Sequence, residues 1–284
     1  MDNHEQVIYS EWHHRFLPYV RSRPGDTAVH DSVIVDTHAH LCDHVFDRDR
    51  YEVLGRARDA GVRAVVSVSE DLADAERTLE LAEMHPMIQP AAGLYPAHPD
   101  AHQAEAVAAL IRRERSRIRA IGEVGLDYWI AGEEHERAVQ REVLRLFAGL
   151  SLELDLPLNV HSRSAGRQVI ELLTQAGARR VQLHAFDGKA SSAAPAVQAG
   201  YYFSIPPSVV RSAQKQKLVR SLPLENLLVE TDSPVLGPNR EERNEPANVT
   251  AVISAIAGLK NLSEEEVMSA VFSNTFELYG PILR

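Results

Sequence analysis

The chain of 284 residues has one cysteine, Cys42, no long apolar run, and a deficit of positive charge that leaves it at −10. A single cysteine excludes an intrachain disulfide and fits a reducing compartment. The first residues, Met1-Asp2-Asn3-His4-Glu5, carry acid where a signal peptide needs base. Nowhere does the chain approach the roughly 18 uninterrupted apolar residues of a membrane span. These absences predict a soluble, unexported, cytoplasmic protein. The acidic balance argues against a broad surface that wraps duplex nucleic acid, because such affinity comes mainly from neutralised phosphates. It leaves open a locally basic pocket for a strand end or a small phosphate ester.

What is present is ordinary globular composition, 44% hydrophobic and 25% charged, enough for a large core. Residues 1–31 stand apart. Val7, Ile8, Trp12, Phe16 and Val20 recur at near-helical spacing and end at the turn Arg23-Pro24-Gly25-Asp26, which predicts a short extension, a helix docked on the main domain, with a partner-binding arm as the alternative. Its histidines have no carboxylate at ligand spacing. From residue 32 to 284 short apolar runs alternate with helical patterns. Strands are expected at Val33–Asp36, Ala64–Ser67, Ile88–Gly93, Ala120–Glu123, Leu158–Val160, Val181–Leu183, Tyr201–Ile205 and Leu227–Glu230. Helices are expected near 49–60, 73–85, 101–116, 133–154, 166–176, 191–199, 212–221, 246–259 and 263–279. Gly61, Gly177 and Gly200 fall where helices should end, and Ser263 with Glu266 forms a capping box. Eight strands alternating with helices predict one α/β domain, a (β/α)₈ TIM-type barrel. A doubly wound open sheet is the alternative, but no G-x-G-x-x-G follows the first strand.

The chemistry-bearing residues cluster at the strand ends. His38 and His40, two apart, point the same way from the first strand. Glu123 ends the fourth, His161 the fifth, His184 the sixth, and Asp232 follows the eighth. This is the face on which barrel enzymes build their sites. Imidazole and carboxylate suit Zn²⁺, Mn²⁺ or Fe²⁺, and six donors exceed what one tetrahedral ion needs. A lone strand-end His is more often a hydrogen-bonded structural residue, and Glu123 or Asp232 alone would pass for a loop cap or an ion-pair partner. Six together at five strand ends would not. Arg163, two residues past His161, should enter the same mouth, where its planar fork suits a phosphate; a structural salt bridge is the alternative. Asn159 and Glu230 should lie one layer deeper and support the ligands. Asp127 and Tyr128 either meet substrate or close a loop. Arg211, Lys215, Lys217 and Arg220 read as a solvated helix face, or as a guide for a polyanionic strand end if they border the pocket. Cys42 reads as a small packed residue.

His38-x-His40, Gly122-Glu123-x-Gly125-Leu126-Asp127, His161-Ser162-Arg163, His184-x-Phe186-x-Gly188 and Glu230-Thr231-Asp232-Ser233-Pro234 resemble the motifs of TatD metal-dependent deoxyribonucleases, over roughly residues 32–280. Residues 158–246 most resemble the TatD-domain-containing protein 3 subgroup. The resemblance implies two divalent ions (Zn, Mg or Mn), one on His38, His40 and Asp232, the other on His161 and His184, with Glu123 bridging. Some related barrel hydrolases bridge with a carboxylated lysine near the fourth strand; the first lysine here is Lys189, which leaves Glu123. Family members commonly carry a His before the proline after strand three, where this chain has Tyr95-Pro96, so substrate contacts on that side differ. Two ions about 3.5–4 Å apart can generate a bridging hydroxide, with Asp232 as ligand or also proton acceptor. The implied reaction is phosphodiester hydrolysis at DNA ends; the alternatives are another ester or amide, such as an aminoacyl ester, or a small phosphoester. Arg163, Tyr95 and Asp127 are the expected substrate contacts.

Overall fold

A computed structural model describes residues 33–97 and 100–283. Both the helix expected within 1–31 and His98, which in sequence reads first as a solvated loop residue and second as a substitute for the family histidine near Tyr95, lie outside the described residues. Eight strands follow one another around a single sheet: β1 (Ile34–Ala39), β2 (Val62–Ser67), β3 (Ile88–Ala92), β4 (Ala120–Gly125), β5 (Leu158–His161), β6 (Val181–Leu183), β7 (Tyr202–Ile205) and β8 (Leu227–Val229). Between them run α1 (Arg50–Asp59), α2 (Leu72–Met84), α3 (Ala101–Arg113), α4 (Glu134–Leu154), α5 (Gly166–Gln175), α6 (Ala190–Gln198) and α7 (Ala213–Ser221). After β8 come α8 (Val249–Lys260) and α9 (Glu264–Tyr279). Every strand is parallel to the next, so the alternation yields the expected barrel. Gly61, Gly177 and Gly200 take φ of +91°, +73° and +76° after their helices, the left-handed region that costs glycine least. The Ser263–Glu266 capping box opens α9. The helix expected from 246 starts instead as a short 3-10 turn, Pro246–Asn248, before α8. Among the described residues no helix is long and apolar enough to cross a membrane.

The seam between β8 and β1 positions the site. It is stitched by separate bonds in place of a regular ladder. Thr37 Oγ1 donates to Val229 O (2.9 Å), Asp232 N to His38 O (2.8 Å) and His40 N to Ser233 O (2.7 Å). The buried Asp36 carboxylate accepts from Thr231 N (2.8 Å) and Oγ1 (2.5 Å). Burial pushes its pKa up to about 7 despite those bonds. The stitching holds Asp232 beside the two histidines of β1.

Two apolar layers support this frame. The larger lies between strands and helices and includes Ile34, Val65, Ile121, Leu158, Phe147 and Phe203. A smaller cluster joins strand residues of the alternate register, Val35, Ala64, Val66, Ala91, Ala120 and Leu228, with Leu278, Tyr279 and Ile282 from the C-terminal segment. Ala64 of β2, Ala91 of β3 and Ala120 of β4 belong to the same cluster as the Tyr279 ring. Burying each large aliphatic side chain contributes roughly 1.5–3 kcal/mol.

Candidate metal centre

Strand geometry brings six side chains together. His38 lies within β1 and His40 one residue past it; Glu123 is within β4, His161 closes β5, and His184 follows β6 directly. Asp232 sits three residues beyond β8, on the seam, with φ +56°. That left-handed backbone is tolerated by aspartate better than by most side chains, and the Asp232 N–H bond to His38 O secures it.

Donor spacing in this cluster is that of a coordination site. His38 Nε2 is 3.3 Å from His40 Nε2 and 3.4 Å from Asp232 Oδ1. His40 Nε2 is 3.4 Å from both Asp232 Oδ1 and Glu123 Oε2, and His38 Nε2 is 3.7 Å from Glu123 Oε2. Four donors each 2.0–2.2 Å from a tetrahedral cation would be about 3.4 Å apart. The other Glu123 oxygen, Oε1, faces elsewhere: 2.7 Å to His161 Nδ1 and 3.4 Å to His184 Nε2. Three overlapping groups could thus hold an ion: His38, His40 and Glu123; His38, His184 and Asp232; Glu123, His161 and His184.

Each imidazole is oriented by a partner on its far nitrogen, which fixes the tautomer and aims the other nitrogen inward. His38 Nδ1 lies 2.8 Å from Asn159 Oδ1, and His184 Nδ1 3.3 Å from Glu230 Oε2. His161 Nε2 is 3.1 Å from Asp127 Oδ2, and His40 Nδ1 3.6 Å from Glu70 Oε1. Two of these partners are linked beneath the site. Asn159 Nδ2 donates to Tyr279 OH (3.2 Å), which donates to Gln182 Oε1 (2.5 Å). Gln182 Nε2 donates to Ser204 Oγ (2.8 Å), which donates to Glu230 Oε2 (2.5 Å). A buried chain of polar groups therefore runs from His38 to His184, whose rings also stack at 3.7 Å.

The electrostatics favour cations. Burial opposes charge on His38, His40, His161, Glu123 and Asp232, yet neighbouring charges offset it. The Asp232 hydrogen bond and the fields of Glu123 and Asp232 push His38 up to about 10 against its burial. Asp127 and Glu123 push His161 up to about 9 in the same way, and His40 also rises. Glu123 stays well below the usual carboxylate range despite burial, held there by His184 and His161, and Asp232 likewise by His184, His38 and His40. Raised imidazoles and carboxylates kept ionised are what mutual pairing of the two donor types produces. A divalent cation would displace those protons, so its binding should strengthen as pH rises.

The remaining expected residues are distributed unevenly. Arg163 is exposed, and its guanidinium lies over the Trp129 ring, 3.8 Å from the centroid. Tyr95 is half-buried at the mouth, edge-on to His161 at 5.0 Å, with burial keeping its phenol protonated. Asp127 is fully buried. Its Oδ1 accepts from Trp129 N and Ile130 N (both 3.0 Å) while Oδ2 meets His161. Lys215 departs from a solvated face: it is buried, with Nζ donating to Ala185 O (2.9 Å). Lys217 and Arg220 are exposed. Cys42 is packed, and burial pushes its thiol up to about 12. Sequence reasoning missed Glu70, Gln182, Ser204 and Tyr279. A signal existed for two of them, since polar residues inside otherwise apolar strands, as at Gln182 and Ser204, are exceptions that ask for a reason.

Comparison with known proteins places the chain in a family. The sequence profile described as TatD related DNase matches residues 35–280. The human protein named Deoxyribonuclease TATDN3 is 43% identical over 88% of this chain and 96% of its own length. A Bacillus subtilis protein named as the uncharacterized metal-dependent hydrolase YabD is 34% identical over 87% of this chain and 99% of its own. The crystal structure of the TatD homolog YjjV from Escherichia coli K12 superposes with a TM-score of 0.80 at 27% identity, covering 87% of this chain and 97% of that one. The profile spans most of the chain, and the relatives align along nearly their whole length. The chain belongs to the TatD-related DNase family.

Proposed function

We propose that this chain is a divalent-metal-dependent phosphodiesterase that removes nucleotides from the ends of DNA strands. The observation that carries a two-cation reading is the division of Glu123: Oε2 faces His38 and His40, and Oε1 faces His161 and His184. His38, His40 and Asp232 would hold one cation, His161 and His184 the other, and Glu123 would span both. Zn suits the imidazoles of this donor set, and Mn or Mg its carboxylates. When bound, such cations supply Lewis acidity, lowering the pKa of water toward neutrality and neutralising charge on the phosphate. Asp232 turns Oδ1 to the two imidazoles, which leaves its other oxygen to accept the proton of the attacking water. Asp127, Asn159, Glu230 and Glu70 hold the imidazoles in register. Arg163 and Tyr95, at the mouth, are the groups positioned to meet substrate. A cytoplasmic setting is supported by the lone, buried Cys42, and the start of the profile match at residue 35 supports 1–31 as an appendage to the barrel.

The test is release of nucleotides from labelled single and double strands, set beside phosphomonoesters, carboxylic esters and amides, with each divalent metal and with chelator. The expected result is strand-end hydrolysis that chelator stops and added metal restores. Cleavage of esters or amides with no release from any strand would replace this reading with its alternative.

The buried polar chain supplies a second test. Tyr279→Phe removes the hydroxyl that links Asn159 to Gln182 while keeping the ring in its apolar pocket. Metal affinity is expected to fall about tenfold with the fold retained, measured by competition against a chromogenic chelator. An affinity within twofold of the parent would reduce the network to packing.

A further inference from the structure

Trp129 is a large aromatic side chain at this mouth that the site's chemistry leaves unused. It stands 67% exposed, with Ile130 beside it at 42%. Burial therefore does not explain it. Its placement is nevertheless firm: Asp127 Oδ1 accepts its backbone N–H, while Oδ2 of the same carboxylate meets His161. Tyr128 N donates to Arg163 O (3.0 Å), tying the loop after β4 to the loop after β5. One face of the indole carries the Arg163 guanidinium. Among the described residues Arg163 forms no salt bridge.

An exposed π-face beside a guanidinium held in no salt bridge complements a nucleotide, which offers a flat base and an adjacent phosphate. The protein's charge of −10 sharpens the argument. A strand is repelled by the acidic whole, so affinity must come from a local contact that does not depend on many neutralised phosphates. We propose that Trp129 stacks the terminal nucleobase of a single-stranded or frayed DNA end on its open face while Arg163 pairs with the neighbouring phosphate. This proposal deepens the strand-end reading above and rests on it. It makes the substrate an end with an unpaired base, gripped two residues from the carboxylate that anchors His161.

The experiment compares hydrolysis of a short single strand with a natural terminal nucleotide and of the same strand with an abasic terminus. The parent, Trp129→Ala and Trp129→Phe are each measured over a range of salt. Trp129→Ala is expected to raise KM about tenfold for the natural end and less than twofold for the abasic end, with kcat changed little. Trp129→Phe should recover most of the loss, because the smaller ring still stacks. For the parent, log KM should change with log salt by about 0.7, the slope of a single phosphate contact. Equal KM changes on natural and abasic ends, or no recovery by phenylalanine, would overturn the platform while leaving strand hydrolysis intact. A parent chain that cuts no strand under any metal would overturn the underlying reading, and this proposal with it.

Discussion

Glu123→Gln is expected to lower turnover by roughly 10³-fold or more while leaving the barrel folded. The substitution keeps the side chain's volume and one carbonyl oxygen. It removes the charge and replaces the other oxygen with an NH₂ donor. Because the two carboxylate oxygens face different imidazole pairs, the amide can satisfy one pair and must turn a donor toward the other. One of the two proposed cations should then be lost, and metal analysis of the purified variant should read that directly. The sign of the linkage gives the variant a stability cost at neutral pH that the imidazoles limit. Glu123's depressed pKa contributes stability that is present above its unfolded value and lost only as pH falls through the lower folded one. Above neutrality the variant's imidazoles, freed from that carboxylate, can shed their protons and so avoid an uncompensated buried charge. Circular dichroism should be unchanged. Activity within tenfold of the parent would remove Glu123 from the centre of the site.

The second large effect is on stability. Gly125 has φ +154°, and a Cβ built there would lie 2.0 Å from His161 O, 2.8 Å from His161 C and 2.9 Å from His161 N. All three are backbone atoms of β5, so no side chain can swing aside. Gly125→Ala should therefore force β4 from β5 and separate Glu123 from His161. A cost of about 3 kcal/mol corresponds to a melting shift of roughly 10 °C for a domain of this size, with metal binding lost in parallel. Gly149 provides the contrast. It lies within α4, and a Cβ added there would meet nothing within 4 Å, so the same exchange should stabilise by up to about 1 kcal/mol through helix propensity. A Gly125→Ala chain melting within 2 °C of the parent would refute the steric argument.

The order of elements could be read from the chain because it depends on local periodicity. Residues facing one side of a strand recur every second position, and α4, at 21 residues, repeats its apolar stripe for several turns. Boundaries shifted where tertiary bonds extend or end pairing. β1 continues through His38 to Ala39 because the seam bonds to Val229, Asp232 and Ser233 keep that backbone extended. β8 stops at Val229, and the Glu230-Thr231-Asp232 stretch turns to meet Asp36 and His38. Lys215 looked like part of a charged helix face because helical spacing cannot show that one position meets Ala185, in the loop after β6.

Residue type and position along the strands determined which six side chains could meet, since parallel strands in a closed barrel deliver their carboxyl ends to one rim. The sequence also determined what was unavailable: a lysine near β4 and a disulfide. Only the tertiary structure decided that Glu123 divides its oxygens, that Asp127 backs His161, and that Tyr279 links the supports of His38 and His184 from 97 residues beyond Gln182. Those outcomes depend on distances between residues far apart in the chain, and a one-dimensional pattern carries no information on ångström-scale separation across a barrel.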